Sequence, residues 1–252
     1  MRKLLLIGIG VGDPDFVTQQ AINALNRVDV FFLIDKGDVK NELIAVRRDI
    51  CQRFIAGDGY RFVTIDEPLR DREAAGYEAA VQDWLDRRAA LFEEAIGTEL
   101  GPEDTGAFLV WGDPTLYDGT IRIIDALVAR AKMPFEHEVI PGISAIQVLV
   151  ARHRLPLNRI GEPIHITTGR RLADGLPDGF DNVVVMLDAG FAAGQLPDAD
   201  QIDVYWGAYL GTASEVLISG RLSEVAEEIG RRKRQLRADK GWIMDTYLLR
   251  RT

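Results

Sequence analysis

The 252-residue chain is 47% hydrophobic and 27% charged, with the charges interspersed. That composition excludes a disordered chain and supplies one large core or two ordinary ones. A formal charge of −9, with no basic stripe ahead of the C-terminal end, argues against nucleic acid as a partner, because such binding rests on Lys and Arg neutralising phosphates.

Cys51 is the only cysteine, so no intrachain disulfide can form. No basic-then-apolar leader opens the sequence and Leu4–Ile9 is too short to span a bilayer, so a cytoplasmic protein that does not engage membranes is expected. Lys3–Ile9 and Val28–Ile34 read as buried parallel strands joined by a helix over roughly 16–27. A helix over roughly 38–55 keeps Leu43, Val46, Ile50 and Phe54 on one face. Arg61–Ile65 is a short strand. A helix over roughly 71–99 turns Tyr77, Val81, Trp84, Leu85, Leu91 and Ile96 inward. Strand Ala107–Trp111, a helix around Ile121–Ala131 and strand Val139–Ile140 complete this half, and an apolar helix follows Ser144. Further on, Ile164–Thr168, Asn182–Leu187, Ile202–Ala208, Glu215–Ile218 and Trp242–Leu249 are strand-like, with one strong helix over roughly 222–238. Arg231-Arg232-Lys233-Arg234 reads as the solvated face of that helix. The expected class is α/β, with two α/β domains at 1–138 and 139–252 meeting near Pro141-Gly142. Strand–helix alternation gives the first a parallel sheet, and the richer strand content gives the second a mixed one.

The loop after the first strand, Gly8-Ile9-Gly10-Val11-Gly12-Asp13-Pro14, invites a dinucleotide reading, and Asp35 imitates a ribose-binding acid about 20 residues on. The reading fails on chemistry. The third glycine position holds Asp13, which puts a carboxylate where a pyrophosphate would lie, and Pro14 delays the helix whose N-terminus should face it. Gly112-Asp113-Pro114 repeats the same tripeptide after another strand, and Pro141-Gly142-Ile143-Ser144 follows a third. Such turns present carbonyls and a carboxylate, which suit a cation better than a phosphate; otherwise they are simply tight strand-to-helix turns. Strand ends of this kind line the crevice where open α/β sheets bind ligands.

Taken in order, these motifs resemble those of the tetrapyrrole methyltransferase family. The family opens with G-x-G-P-G-D-P, met here by Gly8 to Pro14 with Val11 in place of proline. Its G-D-P-x-x-Y-G appears as Gly112-Asp113-Pro114-Thr115-Leu116-Tyr117, with Asp118 intervening before Gly119 and Trp111 replacing a smaller residue ahead of it. Its P-G-I-S-S appears as Pro141-Gly142-Ile143-Ser144-Ala145. Longer stretches, Trp111–Thr120, His153–Arg171, Trp206–Thr212 and Gly241–Arg251, resemble the deacetylating branch of the family, and the likeness spans essentially the whole chain.

The resemblance implies a class III SAM methyltransferase-like fold that binds S-adenosylmethionine (SAM) between its domains, leaves S-adenosylhomocysteine (SAH), and forms a homodimer. It implies C-methylation of precorrin-5 at C-1 with loss of an acetyl group as acetate. Gly112, Asp113 and Leu116, with Ser144 and Ala145 nearby, would hold the methionine end. Leu187, Ala208, Trp242 and Ile243 would line the adenosine pocket. Ser144 also suits a helix N-cap. Pro14 would shape the substrate side. Arg170 and Arg171, then Lys36, are candidate anchors for the macrocycle's carboxylates, or else ordinary surface charges. Asp35 and His165 are candidate bases for the water that attacks the acetyl group, although a lone strand histidine is more often structural. With histidines only at 137, 153 and 165, and no H-E-x-x-H or C-x-x-C, no metal site is expected. The alternatives are another precorrin or tetrapyrrole methyltransferase, an RNA or protein methyltransferase of the same fold, and a nicotinamide-dependent reductase.

Overall fold

A computed structural model of the protein describes residues 1–35, 41–66, 77–177 and 179–252, with backbone alone at Asp35, residue 41 and residues 77–82. Lys36 and the expected helix starts at 38 and 71 lie outside the described residues. The chain falls into two compact units: residues 1–10 with 14–143, and residues 11–13 with 144–252.

The first unit contains a five-stranded parallel sheet of β1 (Lys3–Gly8), β2 (Val30–Asp35), β3 (Arg61–Asp66), β4 (Thr105–Val110) and β5 (Glu136–Ile140), ordered β3-β2-β4-β1-β5. The apolar runs are continuous because both faces are covered. Leu5, Ile7 and Ile9 face α1 (Gln19–Leu25) and α2 (Asn41–Phe54), packing with Ala21, Ala24, Leu25, Ile50 and Cys51. Leu4 and Leu6 face α3 (Tyr77–Glu99) and α4 (Thr120–Arg130), packing with Phe92, Ile96, Ile123 and Leu127. The connections after β1 and β2 therefore lead to one face and that after β4 to the other. β2 pairs with β3 as far as Asp35 opposite Asp66, but its pairing with β4 stops at Phe32 opposite Phe108. The sheet thus opens between β2 and β4 at its C-terminal end.

In the second unit, α5 (Ala145–Arg152) precedes a mixed sheet ordered β6-β7-β10-β8-β9. Its strands are β6 (His165–Thr168), β7 (Asn182–Met186), β8 (Ile202–Ala208), β9 (Val216–Arg221) and β10 (Asp245–Arg251). β6 runs parallel to β7, while β10 is antiparallel to both of its neighbours, β7 and β8. β9 continues directly into α7 (Leu222–Lys240), whose Leu222, Ile229 and Leu236 pack on Val183, Val204, Trp206 and Tyr247.

Several expectations need correction. A junction at 138/139 would cut β5, and the units divide after Ile143 instead. The first helix begins late: Pro14–Phe16 form a 3-10 turn, and the Thr18 side chain accepts from Ala21 N to cap α1, as Pro14's lack of an N–H and its restriction of Asp13 favour. Trp242 and Ile243 lie in the connection before β10, where Gly241 at φ +75° ends α7 in the left-handed conformation. The short helix α6 (Gly169–Leu172) and the 3-10 turns Ala192–Gln195 and Ala199–Gln201 had no periodic signal to announce them. Lys233 is not solvated; it is 3% exposed. Among the described residues, no helix is long and apolar enough to cross a membrane.

Candidate cofactor and substrate site

In the first unit the loops after β1, β4 and β5 are fastened to one another through backbone. Gly112 N donates to Gly10 O at 2.7 Å and Gly10 N to Gly112 O at 3.4 Å, with Gly10 at φ +73° and Gly112 at φ +70°, angles that favour glycine. Gly142 approaches so closely that a Cβ there would stand 2.1 Å from Gly112 O and 2.8 Å from Gly8 C. Asp113 latches the loops together. Its carboxylate accepts from Gly142 N at 2.9 Å, from Thr115 N at 2.7 Å and from the Thr115 hydroxyl. Burial pushes this carboxyl up, but the hydrogen bonds from Thr115 and Gly142 outweigh it and hold it below its ordinary value. Among the described residues no Lys or Arg pairs with it. The outcome is an ionised carboxylate at the C-terminal edge of the sheet. Leu116 N closes the turn onto Asp113 O at 3.2 Å, and the intervening Asp118 accepts from Thr120 N at 2.7 Å, opening α4. Pro14 O accepts from Val17 N, which makes Pro14 the start of the next turn. Asp35 ends β2 at this same sheet edge.

In the second unit Ser144 caps α5 through a reciprocal capping box with Gln147, and Ala145 is the first helical residue. Leu187 follows β7 at φ +52° and is 66% exposed. Next to it, the Asp188 carboxylate accepts from the N–H groups of Gly190, Phe191 and Ala192 and from the Tyr247 hydroxyl at 2.5 Å. From α7 the buried Lys233 ammonium donates to Asp188 O and, at 2.6 Å, to the Asp245 carboxylate, which also accepts from Trp206 Nε1 at 2.8 Å. Burial raises Asp245 despite this cation. Tyr209, at φ +49°, packs edge-on against Trp242 and donates to its carbonyl at 2.5 Å. Ile243 packs on the same core. Ala208 is fully buried at the end of β8.

Leu187, Ala208, Trp242 and Ile243 thus gather at one end of this sheet, where Arg170 and Arg171 also lie exposed on α6. His165 does not join them. It opens β6 opposite Val183, about 10 Å along the strand from Thr168, with its ring against Phe180. His153 bonds Trp206 O at 3.1 Å, and burial lowers its pKa.

Sequence reasoning missed the Lys233–Asp245–Asp188–Tyr247 network and also Arg47. The only trace of Arg47 in the sequence is its place four residues after Leu43, on the edge of the apolar face of α2. In the structure its Nε donates to Leu109 O at 2.9 Å and its Nη1 to Leu43 O at 2.8 Å.

Comparison with known proteins gives consistent results. Residues 3–226 match the family Tetrapyrrole (Corrin/Porphyrin) Methylases. Over 251 residues, covering 100% of this chain and 96% of the relative, the sequence is 50% identical to a precorrin-6A synthase [deacetylating] of Sinorhizobium sp.. A crystal structure of a cobalamin synthesis related protein (CobF) from Corynebacterium diphtheriae superposes with a TM-score of 0.86 at 39% identity, covering 100% of this chain and 99% of that one. A uroporphyrin-III C-methyltransferase from Thermus thermophilus, complexed with S-adenosylhomocysteine, shares the fold, with a TM-score of 0.55 at 20% identity and coverage of 98% and 96%.

Proposed function

The chain belongs to the tetrapyrrole (corrin/porphyrin) methylase family, and from that premise we propose that it methylates precorrin-5 at C-1 and releases the acetyl group as acetate, yielding precorrin-6A. It is a SAM-dependent methyltransferase. The observation that carries the reading is the latched loop cluster: an ionised Asp113 with no cation partner among the described residues, set among glycine-shaped strand ends. That donor set fits a ligand with a sulfonium and an ammonium, and it disfavours a pyrophosphate. When bound, SAM supplies an activated methyl group to a carbon nucleophile and departs as SAH.

What the protein contributes is position, orientation and exclusion of water. Gly112, Asp113 and Leu116, with Ser144 and Ala145, hold the methionine end. Leu187, Ala208, Trp242 and Ile243 receive the adenosine. Pro14 borders the macrocycle, and Lys36, Arg170 and Arg171 anchor its carboxylates. For the deacetylating half, a water adds to the acetyl carbonyl while a base takes its proton. The bond from acetyl to ring then breaks, its electron pair passes to the macrocycle, and acetate leaves. Asp35, at the sheet edge shared with the Asp113 loop, is the better placed of the two candidate bases; His165 stands at the far end of the other sheet.

The test is a coupled assay of labelled methyl transfer from SAM to precorrin-5 together with acetate release. Asp35→Asn retains methylation while acetate release slows by roughly 10²–10⁴-fold; His165→Gln leaves both rates near those of the parent. A thermal shift with SAH, and none with NADPH or FAD, separates this reading from a reductase. Absence of methyl transfer to precorrin-5 sinks the proposal. The protein acts in the cytoplasm on a small macrocycle and not on nucleic acid, and it works as a homodimer, which a monomer in sedimentation at micromolar concentration would contradict.

A further inference from the structure

The opening between β2 and β4 is filled by Arg47. Val110 O accepts from Ile9 N on the β1 side, so the alternating carbonyl of Leu109 faces β2, whose own pairing ended at Phe32. Arg47 Nε takes the place of the missing ladder donor, and Nη1 is held by the carbonyl one turn back, Leu43 O. Two backbone carbonyls thereby fix the plane of the guanidinium. Its Nη2 makes no hydrogen bond among the described residues, and none of their carboxylates comes within ion-pairing distance. Desolvation by burial lowers its pKa to about 10, which leaves it cationic at neutral pH. Arg47 is half-buried, and a guanidinium whose donors find no protein partner among the described residues is completed by water or by a ligand's carboxylate. Here it stands at the sheet edge that carries Asp35 and the Asp113 loop, three residues before Gly112 at Leu109.

Resting on the functional reading above, we propose that Arg47 is a carboxylate anchor for the macrocyclic substrate. Guanidinium nitrogens fixed in one plane match the geometry of a carboxylate arm.

The probe is uroporphyrin III, a stable tetrapyrrole octacarboxylate, with its octamethyl ester as the uncharged control; binding is read by quenching of tryptophan fluorescence. The parent protein prefers the acid to the ester. Arg47→Met weakens acid binding by roughly 10–100-fold, Arg47→Lys by less, and neither alters ester binding. Arg47→Lys, which keeps the charge and loses the fixed plane, reads out the same preference if Arg47→Met fails to fold. SAH calorimetry distinguishes the source of the carboxylate: Arg47→Met that loses SAH affinity but keeps the acid preference assigns Arg47 to the cofactor and overturns the proposal. Equal acid affinity in parent and Arg47→Met, or no preference of the parent for acid over ester, also overturns it. Methyl transfer to precorrin-5 by the parent tests the functional reading separately.

Discussion

A methyl group at Gly142 has nowhere to go, because its nearest neighbours, Gly112 O and the Gly8 backbone, are main chain and cannot rotate aside. Gly142→Ala therefore lowers stability by about 2–4 kcal/mol and weakens SAH binding, both measurable from urea midpoints and calorimetry. Asp113 is tested by pH. Its folded pKa is depressed, so its contribution is fully present above the ordinary carboxylate value, about 3.9, and is lost as pH falls through the folded one. The stability gap between parent and Asp113→Asn stays constant down to about pH 4 and closes in stronger acid; a gap that widens there contradicts the latch. The glycines of these loops are legible in the sequence, since tight turns and close approach restrict the choice of residue. The latch is not, because Asp113 binds a backbone N–H 29 residues away.

α7 illustrates where periodicity stops informing. Four consecutive basic residues read as solvated, yet Lys233 turns inward to the end of β7 and the start of β10. The clue is a carboxylate twelve residues on that arrives only after Gly241 has reversed the chain. Lys233→Met strands the buried Asp245 carboxylate, and equilibrium denaturation registers a loss of about 3–5 kcal/mol. Adding Asp245→Asn recovers part of it. Because burial already raises Asp245, removing the cation raises it further, and the Lys233→Met deficit shrinks as pH falls and protonates that carboxyl. A deficit independent of pH contradicts this account. Strands such as β1 and β8 were legible because apolar runs and alternation persist under tertiary packing. Trp242 and Ile243 were not, since an apolar pair reads alike in a strand and in a packed connection.

For the whole molecule, the parallel and mixed sheets follow from how strands and helices alternate along the chain, but strand order does not. No local signal says that β10 sits between β7 and β8. Nor does composition say where charge matters. The chain carries −9 overall while its proposed ligand is a polyanion, so long-range repulsion opposes encounter until local cations take over. The association rate of uroporphyrin III, followed by stopped-flow quenching, rises when ionic strength increases from 0.01 to 0.15 M and the screening length falls from roughly 30 to 8 Å. A fall in rate over that range shows that the local cations dominate at distance. The central place of β10 also bears on how the molecule is made. A ribosome delivers β6 to β9 before the strand that joins them, so the second sheet exists as two separate pairs until Asp245–Arg251 emerges. The first sheet is complete from Ile140 onward. During synthesis one half of the protein can be finished while the other waits for its keystone, with the strand edges of both pairs open to chaperones and to aggregation in the interval.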